Sequence, residues 1–169
     1  MTKDKLPACI TLRYDIKPGD LGFIVYLHAV HFAREYGFDY TFEARLAESL
    51  AKFYSSSNPH KERLFILERD GQIVGSVGVL AYPESLARIR WFFVQPSSRG
   101  IGLGKALLNE AIEFCKQCGY KSIFLETFSE LTVASHLYKI KGFEIKDEKK
   151  ENHFGKSVTK QHYILNLQL

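Results

Sequence analysis

This sequence predicts an α/β domain, and three observations predict it. Residues 86–107 read as an apolar strand, a tight glycine turn and the first turn of a helix. On both sides of that stretch, strand-like runs alternate with runs in which apolar residues recur every three or four positions. At 169 residues, the length fits a single domain over 1–169 that buries a full core without staples.

Taken in order, residues 8–15 alternate as a first strand, and Pro18-Gly19-Asp20 turns the chain with Asp20 placed to cap a helix. Leu21, Val25, His28, Phe32 and Tyr36 mark one face of that helix, over about 20–36, and Gly37 stops it. Phe42, Leu46, Leu50 and Phe53 mark a second helix that runs out in Ser55 to Pro59. Leu64 to Glu68 and Ile73 to Tyr82 form a hairpin around Asp70-Gly71, a pair suited to a type I′ turn. The key strand follows, its β-branched and aromatic run Ile89 to Val94 ended by Pro96.

Beyond the glycine turn, Leu103, Leu107, Ala111, Phe114 and Cys118 give the buried face of a helix closed by Gly119. Lys121 to Thr127 is a short strand, Leu131 to Lys141 a short helix closed by Gly142, and Phe143 to Lys146 and Val158 to Leu167 two last strands. The mixed-charge segment Asp147 to Asn152 reads as a solvated loop or hairpin end.

Composition narrows the function classes. The net charge of +4 is spread along the chain, so no block reads as a nucleic-acid arm or a polybasic membrane anchor. No apolar run approaches the roughly 18 residues of a membrane span. Met1 to Pro7 lacks the apolar core of a signal peptide, which makes the cytoplasm the expected address. Three cysteines cannot all pair, and Cys115-x-x-Cys118 ends a helix, where the dipole disfavours a thiolate, so packed thiols are expected.

The glycine turn carries the functional signal. Gly100, Gly102 and Gly104 let backbone N–H groups approach a ligand closely, and the helix they open adds partial positive charge. A phosphate belongs there, with Arg99 able to fork onto it and Lys105 acting as a point charge. A Walker A loop is excluded, since Arg99 stands where its first glycine belongs and Ala106 where its Ser or Thr belongs. A dinucleotide fingerprint fails equally at Lys105 and Leu107.

Arg99-Gly100-Ile101-Gly102-Leu103-Gly104 after a strand ending Phe92-Phe93-Val94 resembles the signature of the GNAT superfamily of acyl-CoA N-acetyltransferases. The element order matches that superfamily along nearly the whole chain. The resemblance implies a mixed, mostly antiparallel sheet of about seven strands with about four helices and a splayed strand pair forming the acetyl-CoA cleft. It implies that Phe92, Phe93, Val94 and Arg99 to Lys105 bind coenzyme A, with backbone N–H groups near Phe93 and Val94 polarising the thioester. Gly19 to Gly37, Phe42 to Ala47 and His153-Phe154-Gly155 further resemble acetyltransferase domains fused to MarR-type regulators.

Leu137-Tyr138-x-x-x-Gly142-Phe143 resembles the family segment whose tyrosine reprotonates the departing sulfur. Many relatives carry Asn seven residues earlier, where this chain has Leu131. Glu126, twelve residues before Tyr138, has the spacing of the glutamate that deprotonates the amine in ribosomal-protein N-terminal acetyltransferases. Burial beside Phe124 and Phe128 is expected to raise its pKa. His28, His31 and Glu35 share a helix face, and the first helices line the acceptor pocket in this family, which makes His31 and Glu35 specificity candidates. Arg88 and Arg90 share one face of the key strand, where Arg90 would recruit a carboxylate or phosphate on the acceptor. No metal is needed. The expected acceptor is a small-molecule amine or, on the Glu126 spacing, a peptide N-terminus. The rival is an acyl-CoA-binding regulatory module without chemistry. A homodimer is compatible with either.

Overall fold

Burial alternates along the key strand from Leu86 to Val94, each buried residue followed by a half-buried one, as side chains that point to opposite faces of a sheet require when one face is the better covered. The computed structural model describes residues 6–167. Its elements run β1 (Ile10–Arg13), α1 (Asp20–Tyr36), α2 (Tyr40–Ser56), β2 (Arg63–Arg69), β3 (Gln72–Tyr82), β4 (Leu86–Val94), α3 (Leu103–Gln117), β5 (Ser122–Phe128), α4 (Thr132–Ile140), β6 (Glu144–His153) and β7 (Lys156–Asn166). The strands form one seven-stranded sheet in the order β1-β2-β3-β4-β5-β7-β6. Only the β4–β5 pairing is parallel; the others are antiparallel.

Two cores follow from the two apolar faces of the sheet. Ile24, Leu27, Leu46 and Leu50 of α1 and α2 pack with Trp91 and Phe93 on one side. Leu107, Ala111 and Phe114 of α3 pack with Val77, Ile89 and Ile123 on the other.

Two irregularities of β4 create the site. First, β4 pairs with β5 only at Leu86↔Ser122, Ala87↔Ile123 and Arg88↔Phe124, after which the strands splay. Second, Ser76 pairs with Phe93 and Gly78 with Arg90, so Val77 alone opposes Trp91 and Phe92, a β-bulge. Trp91 takes a left-handed φ of 51° there, its carbonyl accepting from Ser76 Oγ at 2.8 Å. The bulge flips the strand's parity, so Ile89 lies in the α3-side core and Trp91, two residues on, in the α1/α2-side core.

The Trp91 indole covers Gly78, where a Cβ would lie 2.4 Å from Trp91 Cε3. Gly78→Ala is therefore expected to cost about 1–3 kcal/mol by overpacking. A lower urea midpoint with an unchanged m-value would show it; an unchanged midpoint would mean that the indole moves aside freely.

Three expectations are corrected. β1 is confined to Ile10–Arg13, its flanks lying in turn and loop. Gly19, at φ 95°, is the N-cap of α1 rather than Asp20. Asp20 is buried instead, accepting from Lys17 N–H and from the Arg13 guanidinium at 2.8 Å. Asp147 to Asn152 is strand rather than loop, the part of β6 that leads into the β6–β7 hairpin end. That strand is an edge exposed along most of its length, so it shows no apolar alternation, and its charges discourage pairing with other chains. The signal-peptide reading rests mostly on Met1 to Lys5, outside the described residues. No described helix is long and apolar enough to cross a membrane.

Candidate active site

Where β4 leaves β5, a cleft opens between the end of β4, the start of α3 and one side of α4. It is lined by Phe92, Phe93 and Val94, by Arg99, Gly100 and Gly102 to Lys105, and by Leu131, Ala134 and Leu137. Ile101 is the one residue of the turn that does not line it, and it is exposed. Gly100 and Gly102 sit at φ 82° and 84°, a region that disfavours side chains, and Gly102 caps α3. The Leu103 and Gly104 N–H groups stand in the first turn of α3, ahead of the first bond of the helix, from Ala106 N–H to Gly102 O at 3.0 Å. Gly104 is the closest approach, with a Cβ placed 3.1 Å from Leu137 Cδ1 and 3.5 Å from Phe92 Cζ.

These residues fit coenzyme A, with a nest of N–H groups at the positive end of a helix for a pyrophosphate and an apolar slot between β4 and α4 for its arm. Gln95 N–H donates to Val74 O at 2.8 Å, toward β3. Antiparallel alternation puts Phe93 on that same side and turns the Val94 N–H toward the gap.

Two sequence candidates meet here unexpectedly. The Arg99 fork lies on Glu35, with both contacts at 3.0 Å, and Arg99 Nε donates to Val94 O at 2.9 Å. Glu35 thus sits at the mouth of the donor cleft. His31 packs on the Phe93 ring at 5.5 Å, and burial lowers its pKa. Neither His31 nor Glu35 lines the second cavity.

That second cavity is lined by His28, Arg88, Arg90, Glu126, Tyr138 and several aromatic rings, and it shares Phe32, Phe92 and Leu131 with the donor cleft. Its end wall is the β6–β7 turn. Asp39 N–H donates to Phe154 O at 3.0 Å, and Phe154 packs 5.2 Å from both Phe38 and Phe42. Gly155 permits this docking, since a Cβ there would lie 2.7 Å from Asp39 Oδ2.

Tyr138 is 5% exposed, its ring flanked by Phe92, Phe143 and Tyr163 at 5.6–5.8 Å. Burial pushes its phenol well above the ordinary value, so it is a proton donor rather than a phenolate. Glu126 is ion-paired with Arg88 and, at 2.6 Å, with Lys160. Burial alone pushes its carboxyl up, but the Lys160 hydrogen bond and the Arg88 charge outweigh burial and hold it below the usual range. The expected upward shift is thus reversed.

Sequence reasoning missed Lys160, Arg45 and the buried nitrogen of His28. Lys160 reaches Glu126 through the β5–β7 pairing, in which Phe128↔Lys160 and Glu126↔His162 are register partners on one face of the sheet, and no period-2 pattern in the sequence signals that pairing. His28 Nδ1–H donates to Ile24 O at 2.8 Å, and burial lowers its pKa to about 4, so the imidazole is neutral. Its Nε2 is buried without a partner among the described residues.

The chain matches the Acetyltransferase (GNAT) family over residues 30–143. It is similar to an uncharacterized N-acetyltransferase of Schizosaccharomyces pombe, 32% identical over 117 residues that cover 67% of this chain and 70% of the relative. Its fold resembles spermidine N-acetyltransferase from Vibrio cholerae, solved with CoA and spermine, at TM-score 0.71 and 24% identity over 95% of this chain and 96% of that one. It also resembles ribosomal-protein-alanine N-acetyltransferase from Brucella melitensis, at TM-score 0.75 and 19% identity over 93% and 99%. The strand-turn-helix cleft and the match over residues 30–143 agree: the chain belongs to the GNAT family of N-acetyltransferases, enzymes that draw their acyl group from acetyl-CoA.

Proposed function

We propose that this enzyme acetylates the primary amine of a small molecule by direct attack within a ternary complex. The observation that carries the reading is the meeting of the two cavities at Phe32, Phe92 and Leu131, which lets an amine in one reach a carbonyl carbon in the other without a covalent enzyme intermediate. Acetyl-CoA supplies the activated thioester. The Val94 N–H polarises the carbonyl oxygen. The amine nitrogen bonds to the carbonyl carbon, the carbon–sulfur bond breaks, and the Tyr138 hydroxyl gives its proton to the departing sulfur. Glu126, ionised at neutral pH, takes the surplus proton from the amine.

The docked β6–β7 turn favours a compact acceptor, because Phe154 and the α1–α2 loop close the end of the pocket. A peptide N-terminus is the second reading, favoured by the position of Glu126 in the pocket and by the likeness to the B. melitensis enzyme. Thiol release across polyamines, amino acids, aminoglycosides and peptides tests both. Acetyl-CoA binding with no release from any acceptor would instead support the regulatory module. The nearer kinship with regulator-fused domains, the single-domain extent and the cytoplasmic address are part of the same proposal and come from the sequence.

A carboxylate held this acidic is a weak base, so Glu126→Gln is expected to lower kcat/KM only about tenfold, below the usual general-base contribution. Stability supplies a second readout. With its folded pKa depressed, Glu126 stabilises the protein above the ordinary carboxylate pKa, and that stabilisation disappears as pH falls through the folded pKa. The stability gap between wild type and Glu126→Gln should therefore be full at pH 7 and shrink on acidification. A gap independent of pH would remove the ion pairs from the explanation.

A further inference from the structure

Resting on that reading, the charge in the acceptor cavity narrows the substrate. Arg45, Arg88, Arg90 and Lys160 line it, while its one carboxylate among the described residues, Glu126, is already held by Arg88 and Lys160. Arg90 is half-buried and its guanidinium has no ion pair or hydrogen bond among the described residues; it lies over the Trp91 ring, 5.5 Å away. Arg88 Nε is likewise buried with no partner. The unpaired, partly desolvated Arg90 guanidinium and the buried, unpartnered Arg88 Nε carry a desolvation cost that an anion would offset, and a guanidinium's planar fork matches carboxylate and phosphate oxygens. Desolvation, then repulsion from Arg88 and Arg45, pulls the Arg90 pKa down to about 10, which leaves it charged at neutral pH. Beside these charges and the polar groups of His28, Thr127, Tyr138 and His153, the wall carries five phenylalanine rings, Phe154 among them.

We propose that the acceptor is an amine bearing an anionic group and an apolar body, its carboxylate or phosphate bound by Arg90 with Arg45 and Arg88 nearby, its body against the phenylalanine rings. Large apolar amino acids have this chemistry; polyamines have its opposite, and spermidine would meet four cations.

The test compares paired amines on one enzyme preparation with acetyl-CoA. Phenylalanine is set against phenylalaninamide, phosphoethanolamine against ethanolamine, and spermidine serves as the cationic probe. The anionic member of at least one pair is expected to have about 10- to 100-fold higher kcat/KM, and which pair shows it separates carboxylate from phosphate. In Arg90→Gln that ratio should collapse to within about threefold, and Arg90→Lys should restore part of it. Because each ratio is read within one protein, a partly folded variant does not confound it. Preference for the neutral amines or for spermidine, or an unchanged ratio in Arg90→Gln, overturns the proposal.

If no acceptor releases thiol, binding of phenylalanine and of inorganic phosphate to the CoA-saturated protein is measured by calorimetry. Binding of either that weakens at least tenfold in Arg90→Gln supports the anion site while the catalytic reading falls. Absence of binding by both overturns the site.

Discussion

Tyr138→Phe is expected to lower kcat for acetyl transfer by about 10²- to 10⁴-fold while leaving acetyl-CoA affinity unchanged. The substitution removes one oxygen from a ring otherwise fixed by Phe92, Phe143 and Tyr163. No side-chain hydrogen bond holds that oxygen among the described residues, so a purely structural tyrosine would lose neither rate nor much stability. The two roles thus predict opposite rates at similar stability. The pH profile adds a second discrimination. Burial raises the phenol pKa, so the wild-type rate should not fall on the alkaline side through loss of this proton anywhere below pH ~10. A variant as fast as wild type at every pH would take the proton-donor role away from Tyr138.

The donor side was legible because its chemistry is carried by the backbone. A glycine spacing after an apolar strand constrains φ values and N–H directions directly, and Gly100 and Gly102 adopt the left-handed conformations that spacing implies. The acceptor side was less legible because it depends on side chains from distant elements. Glu35 has the helical spacing of a pocket residue, yet the end of α1 brings it against Arg99 at the donor mouth. Glu126 looked buried among phenylalanines, but the two cations beside it come from β4 and β7. Such neighbours depend on which strands pair, and the order β4-β5-β7 cannot be read from period-2 patterns alone.

The bulge at Trp91 shows the same limit within one strand. Simple alternation puts Ile89 and Trp91 on one face and the two arginines on the other. Arg88 and Arg90 do both line the acceptor cavity, but the extra residue sends Trp91 to the opposite core from Ile89. The left-handed φ of a tryptophan has no sequence signature, whereas the glycine that accommodates its ring, Gly78, is visible as an isolated glycine in a strand.

Gly104→Val is expected to weaken acetyl-CoA binding by more than about 100-fold, or roughly 2.7 kcal/mol, without unfolding the protein. Gly104 lies in the first turn of α3 with ordinary helical geometry, so a side chain there brings no left-handed strain, unlike Gly102 at φ 84°. A loss at Gly102 would mix the roughly 1–2 kcal/mol of strained backbone with any blockage of the cleft. At Gly104 the first carbon already touches Leu137 Cδ1 at 3.1 Å, and the two methyls of valine must fill the slot between Phe92 and Leu137. Gly104→Ala, adding only the Cβ, should fall between wild type and valine in affinity while its unliganded protein stays near wild-type stability, since alanine favours the helix by up to ~1 kcal/mol. The readout is the thermal shift on adding acetyl-CoA, compared with the melting temperature without it, so folding and binding are scored separately. A folded Gly104→Val protein with wild-type affinity would mean that the donor does not enter between β4 and α4, and the strand-turn-helix cleft would lose its assignment.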